Sequence, residues 1–238
     1  MGLIKYLKSF LDLIFPEKYI CFICDKYDES ISTYICDGCL ESFEYVIDGC
    51  KICGKPFYEL SDICNGCKES NHYFYKAIAV FEYNKSIKKA IYKYKYYKKS
   101  YMYKAFGQLM LNLLKENDLE DIDYIIAVPL HKSKELKRGF NQSYLLAKYI
   151  SEKTLIPLDR SLLRTKKTVV QNNLKSIQRH NNIKGAFSLK ENNLKDKNIL
   201  LIDDILTTGA TADECSKVLL NGGVKRVYVL TLATTRYI

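Results

Sequence analysis

Two sets of residues in this chain have types and spacings that do chemistry. The first is a run of cysteines: Cys21 and Cys24, Cys36 and Cys39, Cys50 and Cys53, Cys64 and Cys67, each pair separated by two residues. Pairs at that spacing sit on one tight turn and face a single ion, and two such turns supply the four-sulfur tetrahedron that zinc prefers. The pattern begun at Cys21 restarts at Cys50, so the four-thiolate unit is repeated. Gly54, directly after Cys53, stands where such a turn favours a residue tolerant of positive φ. The second set runs from Ile199 to Thr211, reading Ile-Leu-Leu-Ile-Asp-Asp-Ile-Leu-Thr-Thr-Gly-Ala-Thr. Its apolar half is a buried strand carrying Asp203 and Asp204 at its carboxyl end, where ligands of open α/β sheets sit. Thr207, Thr208, Gly209, Ala210 and Thr211 then make a small turn into a helix, which aims N–H groups and hydroxyls at one phosphate. Adjacent carboxylates repel a phosphate but suit vicinal hydroxyls and a hydrated divalent cation. A phosphate cradle beside a diol clamp describes a ribose 5-phosphate.

Disulfides and thioredoxin-like redox pairs are the rival readings of the cysteines. The apolar stretch from Leu3 to Phe15 is broken by Lys5, Lys8 and Asp12 and lacks a small-residue cleavage site, so no export signal is expected. Disulfide frameworks belong to oxidising compartments. Redox pairs occur once on an α/β scaffold, not four times in a short polar segment. Zinc is the expected ion, with iron the metallic rival. Spacing leaves the pairing open: sequential turns are simplest, and a cross-braced arrangement satisfies the same count. With no open ligand position, both sites read as structural staples for a segment too small to bury its own core. Cys215 stands apart in the helix after the phosphate turn and reads as a small core residue.

The elements that must position these residues follow the same division. The 238 residues, 47% hydrophobic and 27% charged, suit an ordinary domain plus a small one and exclude a disordered or fibrous chain. No apolar run approaches the roughly 18 residues of a membrane-spanning helix, so a cytoplasmic protein without membrane insertion is expected. Residues 1–70 carry 7 Lys and 12 Asp or Glu, a balance of −5, whereas the remainder holds 30 basic and 15 acidic residues, +15. That basic body favours polyanionic partners. After Tyr73, strand-like runs at 77–81, 125–128, 199–202 and 227–232 alternate with helical stretches from Ser86, at 103–114, 143–152 and 211–220. Such alternation gives a parallel sheet covered on both faces. The expected organisation is a cysteine-rich zinc-binding domain over residues 1–70 and an α/β domain over 71–238.

One stretch supports a different chemistry. From Lys85 to Lys104 there are eight Lys, six Tyr and no acid. Lysines track phosphates and tyrosines stack bases, which makes Lys93, Lys95, Lys98 and Lys99 candidate single-strand contacts. The bland alternative is a surface helix whose tyrosines cover the sheet and whose lysines stay solvated.

The 199–211 segment resembles the phosphoribosyl-pyrophosphate (PRPP) signature of the type I phosphoribosyltransferases. Val128-Pro-Leu-His131, Arg138-Gly-Phe-Asn-Gln142, Thr168, Gln171, Leu174, Arg179, Asn182 and Gly185-Ala-Phe187 fall in one order, and Leu11-Asp-Leu-Ile-Phe-Pro16 leads into the first cysteine turn. With the cysteine head they resemble the ComF family of competence-associated phosphoribosyltransferase-like proteins, over nearly the whole chain. Lys132, Lys134 and Lys175 depart from the residues common there, keeping or adding positive charge. The resemblance implies a type I phosphoribosyltransferase fold, α/β with a parallel sheet flanked by helices, behind a double zinc ribbon. It implies that Asp203 and Asp204 hold the ribose hydroxyls with Mg²⁺, and that Leu206, Thr207, Thr208, Gly209, Ala210 and Thr211 hold the 5-phosphate. His131 and the turn after Val128 would face pyrophosphate, with Arg138, Lys132 and Lys134 balancing its charge. Residues from about Lys166 to Asn182, Gln171 and Arg179 among them, would form a hood over the site. The implied reaction displaces pyrophosphate from PRPP by an unidentified nitrogen acceptor, with Asp203, Asp204 and Arg138 catalytic. Purine transferases carry an acid where Thr207 stands, so a purine handled from that position is not expected. The family's link to DNA uptake implies single-stranded DNA and DNA-processing proteins as partners. A single-strand-binding module and a PRPP or nucleotide sensor without turnover are the alternative readings.

Overall fold

A computed structural model of the chain describes residues 19–31, 34–57, 60–96, 100–117, 119, 121–166, 182–190 and 193–237. The strands are β1 (Lys76–Glu82), β2 (Tyr124–Ala127), β3 (Leu158–Asp159), β4 (Leu162–Arg164), β5 (Phe187–Leu189), β6 (Asn198–Leu206) and β7 (Arg226–Thr234). Five of them make one sheet in the order β1-β7-β6-β2-β3, every neighbouring pair parallel. β4 and β5 form a separate antiparallel pair. The helices are α1 (Asp37–Glu41), α2 (Asn65–Glu69), α3 (Lys85–Tyr96), α4 (Tyr103–Glu116), α5 (Lys132–Arg138), α6 (Gln142–Thr154) and α7 (Ala210–Asn221). No helix among the described residues is long and apolar enough to cross a membrane.

All the expected strands and helices form, with one informative shift. β6 does not end at Ile202 but runs to Leu206, so Asp203 pairs with Thr231 of β7 and the backbone that carries the two carboxylates is part of the sheet. The short β3, β4, β5 and α5 carry too few residues for a readable period. The segment 167–181, with Thr168, Gln171, Leu174 and Arg179, lies outside the described residues, as does the Leu11–Pro16 lead-in.

The period of two along the strands sorts the core into two layers. Ile78, Val80, Ile125, Leu200, Ile202, Tyr228 and Leu230 face one side, against α3, α4 and α6. Ala77, Ile126, Ile199, Leu201, Val227 and Val229 face the other, against α7. The cysteine segment divides between these layers. Cys21, Phe22 and Ile23 join the first, where the Phe22 ring meets Phe106 edge-on at 5.4 Å. Cys50, Cys53, Cys64 and Cys67 join the second. The sheet is thus gripped on each face by one cysteine turn set. The Ala77 amide donates to Ile52 O at 2.7 Å, fixing the second set to β1. Crossovers lead away from β2 and β6 on opposite faces, α6 on one and α7 on the other. Between their carboxyl ends this leaves a crevice, the place where open α/β sheets take ligands.

Candidate active site and metal centres

The eight cysteines assemble sequentially: Cys21, Cys24, Cys36 and Cys39 form one set, and Cys50, Cys53, Cys64 and Cys67 the other, each with all sulfurs within 4.8 Å. The two turns are built alike. Asp25 N donates to Cys21 O and Gly54 N to Cys50 O, at 2.7 and 2.8 Å, and Asp25 and Gly54 both take positive φ, 62° and 66°. Only the second needs glycine, because a Cβ there would stand 2.5 Å from Ala77 O. Cys24 and Cys36 sulfurs lie 3.7 Å apart, as do those of Cys53 and Cys64. Thiolates about 2.3 Å from zinc have tetrahedral edges of about 3.8 Å, whereas a disulfide is about 2.05 Å. Burial raises Cys50, but N–H donors from Cys53, Cys64 and Ile52 overcome it and bring the thiol down to about 7. Burial pushes Cys53 up to about 12. A divalent cation reverses that penalty. Both sets fit structural Zn²⁺.

At the crevice, Asp203 Oδ1 accepts from Ser143 Oγ at 2.8 Å and from the Asp204 amide at 2.9 Å. Burial first, and the Asp204 charge next, push the Asp203 carboxyl up to about 7. Asp204, 5% exposed, pairs with Lys95 Nζ at 2.5 Å. Beyond them the chain turns through Thr207 and Thr208, and Gly209, at φ 85°, opens α7. Thr208 Oγ1 accepts from Ala210 N at 3.3 Å, and Thr234 and Thr235 hydroxyls donate to the Leu206 and Thr207 carbonyls. The turn's backbone is therefore fixed where it opens α7 beside the cavity.

The carboxylate pair borders two cavities. One, about 310 Å³, is lined by Leu206, Thr207, Gly209, Ala210, Thr211 and Lys88. The other, about 480 Å³, is lined by Lys95, Lys134, Lys137, Arg138, Arg164 and Ser143. Burial, then the charges of Arg164, Arg138 and Lys95, lower Lys134. Arg138 is held by Gln142 Oε1 and by the Tyr96 ring, 5.2 Å from its centroid. Its helix α5 ends at Gly139, and Asn141 caps α6 by accepting from Ser143 N while donating to Val128 O. Arg-Gly-Phe-Asn-Gln is thus a helix–turn–helix joint that pins Arg138 and Ser143 to the β2 end.

Other candidates fall elsewhere. His131 caps α5, its Nδ1 2.8 Å from Ser133 Oγ and 3.3 Å from Ser133 N. With the exposed Lys132 it lines a neighbouring cavity against Tyr144 and Arg160, away from the carboxylates. Lys93 donates to Phe22 O, Ile23 O and Asp25, tying α3 to the first cysteine turn. Of the four lysines expected to track phosphates, Lys93 and Lys95 are 16% and 18% exposed and engaged, one at the metal turn and one at Asp204. Lys98, Lys99, Gln171 and Arg179 lie outside the described residues. Lys95 and Arg164 are the site cations that sequence reasoning misplaced or missed, since no spacing marks them. Cys215 is buried in α7, as expected of a core residue.

Comparison with known proteins agrees with this architecture. Residues 10–68 match the double zinc ribbon domain, and residues 136–236 the phosphoribosyl transferase domain. "Competence protein F" of Haemophilus influenzae is 29% identical, over 84% of this chain and 90% of its own. "DNA utilization protein YhgH" of Escherichia coli K12 is also 29% identical, over 91% and 97%. "Competence protein ComFC" of Bacillus subtilis is 26% identical, over 90% and 82%. Among solved structures, glutamine PRPP amidotransferase from B. subtilis, complexed with ADP and GMP, aligns over 58% of this chain and 30% of that chain, at 17% identity and a TM-score of 0.40. With its paired four-cysteine sites beside a parallel sheet, the chain carries a double zinc ribbon domain and a phosphoribosyl transferase domain and is similar along most of its length to the competence proteins F and ComFC.

Proposed function

We propose that the chain binds PRPP with Mg²⁺ at the β2–β6 crevice and displaces pyrophosphate from it with a nitrogen acceptor. One observation carries this reading: a carboxylate pair stands between two anion-attracting cavities, a helix-opening turn on one side and Lys95, Lys134, Arg138 and Arg164 on the other. PRPP has the same order, with a phosphate at one end of a ribose diol and a diphosphate at the other. Residues 207–211 would take the 5-phosphate, Asp203 and Asp204 the hydroxyls, and the cations the diphosphate. Mg²⁺ held with the carboxylates would neutralise the leaving group. Arg138 and Lys134, already positioned, stabilise the charge that develops on departure.

The test is calorimetric titration with PRPP and Mg²⁺, followed by assay of pyrophosphate release across nitrogen acceptors. Asp203→Asn with Asp204→Asn abolishes both signals if the reading holds. Binding without release across a broad panel makes the protein a sensor. The similarity to competence and DNA utilisation proteins supports a place in those processes, and we place the chain in the cytoplasm. Direct single-strand contact through α3 would use the exposed Lys88 and Lys89, not Lys93 and Lys95. Steeply salt-dependent oligonucleotide binding, lost on Lys88→Ala with Lys89→Ala, would support it.

A further inference from the structure

We propose that the last turn of α3 joins the first cysteine set to the crevice. A metal ion on Cys21, Cys24, Cys36 and Cys39 and PRPP at Asp203 and Asp204 then strengthen each other's binding, with Lys93 as the positioning residue between them. The PRPP half rests on the binding reading above, whereas the link itself stands on contacts within the chain.

Four consecutive residues make the link. Lys93 Nζ donates to Phe22 O, Ile23 O and Asp25 Oδ2, at 3.2, 2.8 and 2.9 Å. Phe22 and Ile23 are the two residues between Cys21 and Cys24, so the ammonium closes the turn that carries half of the ligands. Tyr94, fully buried, donates its hydroxyl to Gln142 O at 2.9 Å, at the start of α6. Lys95 pairs with Asp204, and the Tyr96 ring lies against Arg138. A second route runs through rings. Phe22 meets Phe106 at 5.4 Å, Phe106 meets Tyr94 at 5.7 Å, and Tyr94 meets Phe140 at 5.7 Å. Phe140 belongs to the Arg-Gly-Phe-Asn-Gln joint that pins Arg138 and Ser143.

Coupling passes along packed side chains and ion pairs when the element between two sites has two arrangements. Here these are the docked last turn of α3 and a released one. An emptied cysteine turn would loosen all three acceptors of Lys93 together, and α3 would then hold Lys95 and Tyr96 at the crevice by its apolar face alone. Metal and PRPP both favour the docked turn, so by linkage each raises the other's affinity by the same factor. Because Cys24 is exposed, the first set is the one open to chelators, and PRPP affinity would follow the supply of its ion.

The test uses the full-length zinc-loaded protein in a chelator that takes Zn²⁺ and leaves Mg²⁺, with alkylation of each cysteine read by peptide mass spectrometry. PRPP with Mg²⁺ should slow alkylation of Cys21, Cys24, Cys36 and Cys39 by about 5-fold or more, the low end of typical couplings. Lys93 lines neither crevice cavity, yet Lys93→Met should weaken PRPP binding in calorimetry by a similar factor and abolish the protection. Lys93→Arg should restore both. Should Lys93→Met fail to fold, Tyr94→Phe, which loses only the bond to Gln142, should lessen the protection. Without PRPP, Lys95→Met leaves the cysteine turn intact and should speed alkylation of the first set relative to the second by about 5-fold. Unchanged PRPP affinity in folded Lys93→Met, protection that persists in Tyr94→Phe at the wild-type level, or bound PRPP that protects nothing overturns the coupling. Equal alkylation of both sets relative to wild type in Lys95→Met overturns the link. If PRPP does not bind the wild-type protein, the PRPP reading and the mutual strengthening fall, and Lys95→Met still decides the link.

Discussion

Replacing Asp203 by Asn should change how stability depends on pH. In the protein free of PRPP and Mg²⁺, burial and then Asp204 raise the Asp203 carboxyl to about 7, against an unfolded value of about 3.9. The folded state therefore holds this proton more tightly than the unfolded state. Its contribution to stability falls as pH rises from about 4 through 7 and is level above that. At about 1.36 kcal/mol per unit, the full excursion is about 4 kcal/mol, of which about 2 kcal/mol falls between pH 5.5 and 8. Asn keeps an oxygen for Ser143 and loses the titration. The variant's melting temperature should thus gain on the wild type by about 4–8 °C across that window, taking 2–4 °C per kcal/mol for a chain of this size. Circular dichroism melts at matched zinc, without Mg²⁺, measure this directly. Two melting curves that stay parallel from pH 5.5 to 8 would refute the reasoning and place the Asp203 proton elsewhere.

Three further outcomes are expected. Lys95→Met strands Asp204, 5% exposed, and should lower stability in urea by about 3 kcal/mol, the low end for a broken buried pair. Gly54→Ala puts a Cβ 2.5 Å from Ala77 O at φ 66°; it should cost more than about 2 kcal/mol and leave the second metal site substoichiometric by native mass measurement. A chelator should remove metal in two phases, first from the set containing the exposed Cys24 and then from the wholly buried Cys50, Cys53, Cys64 and Cys67. A single phase would contradict that order.

What could be read from the sequence was what local chemistry demands. Ile199 to Thr211 needs apolar residues to enter the sheet, acids at its carboxyl end and small residues to turn, so order alone reveals it. The cysteine turns repeat at a readable interval, although only the folded chain decides which four share an ion. Lys93 and Lys95 defeated composition because charge does not say which way a helix faces. With Ile87, Ala90, Ile91 and Tyr94 buried, α3 lies such that the two lysines at its last turn reach a metal turn and the crevice. His131, expected beside a ligand after Pro129, caps α5, and His-Lys-Ser is as much a helix start as a ligand turn. Arg164 belongs to no motif; it reaches its cavity through the docking of the β4–β5 pair, which no periodicity encodes.

The placement of the two metal turns on opposite faces of the sheet has a consequence for dissecting the molecule. Severing the chain near residue 70 would not release a ready-made catalytic half. It would strip Phe22 from Phe106 on one side and the Cys50–Cys67 unit from the α7 layer on the other. Two apolar slabs would then meet water at once. The excised half would clump or slacken, and its inactivity would report on lost wrapping rather than on the chemistry of the crevice.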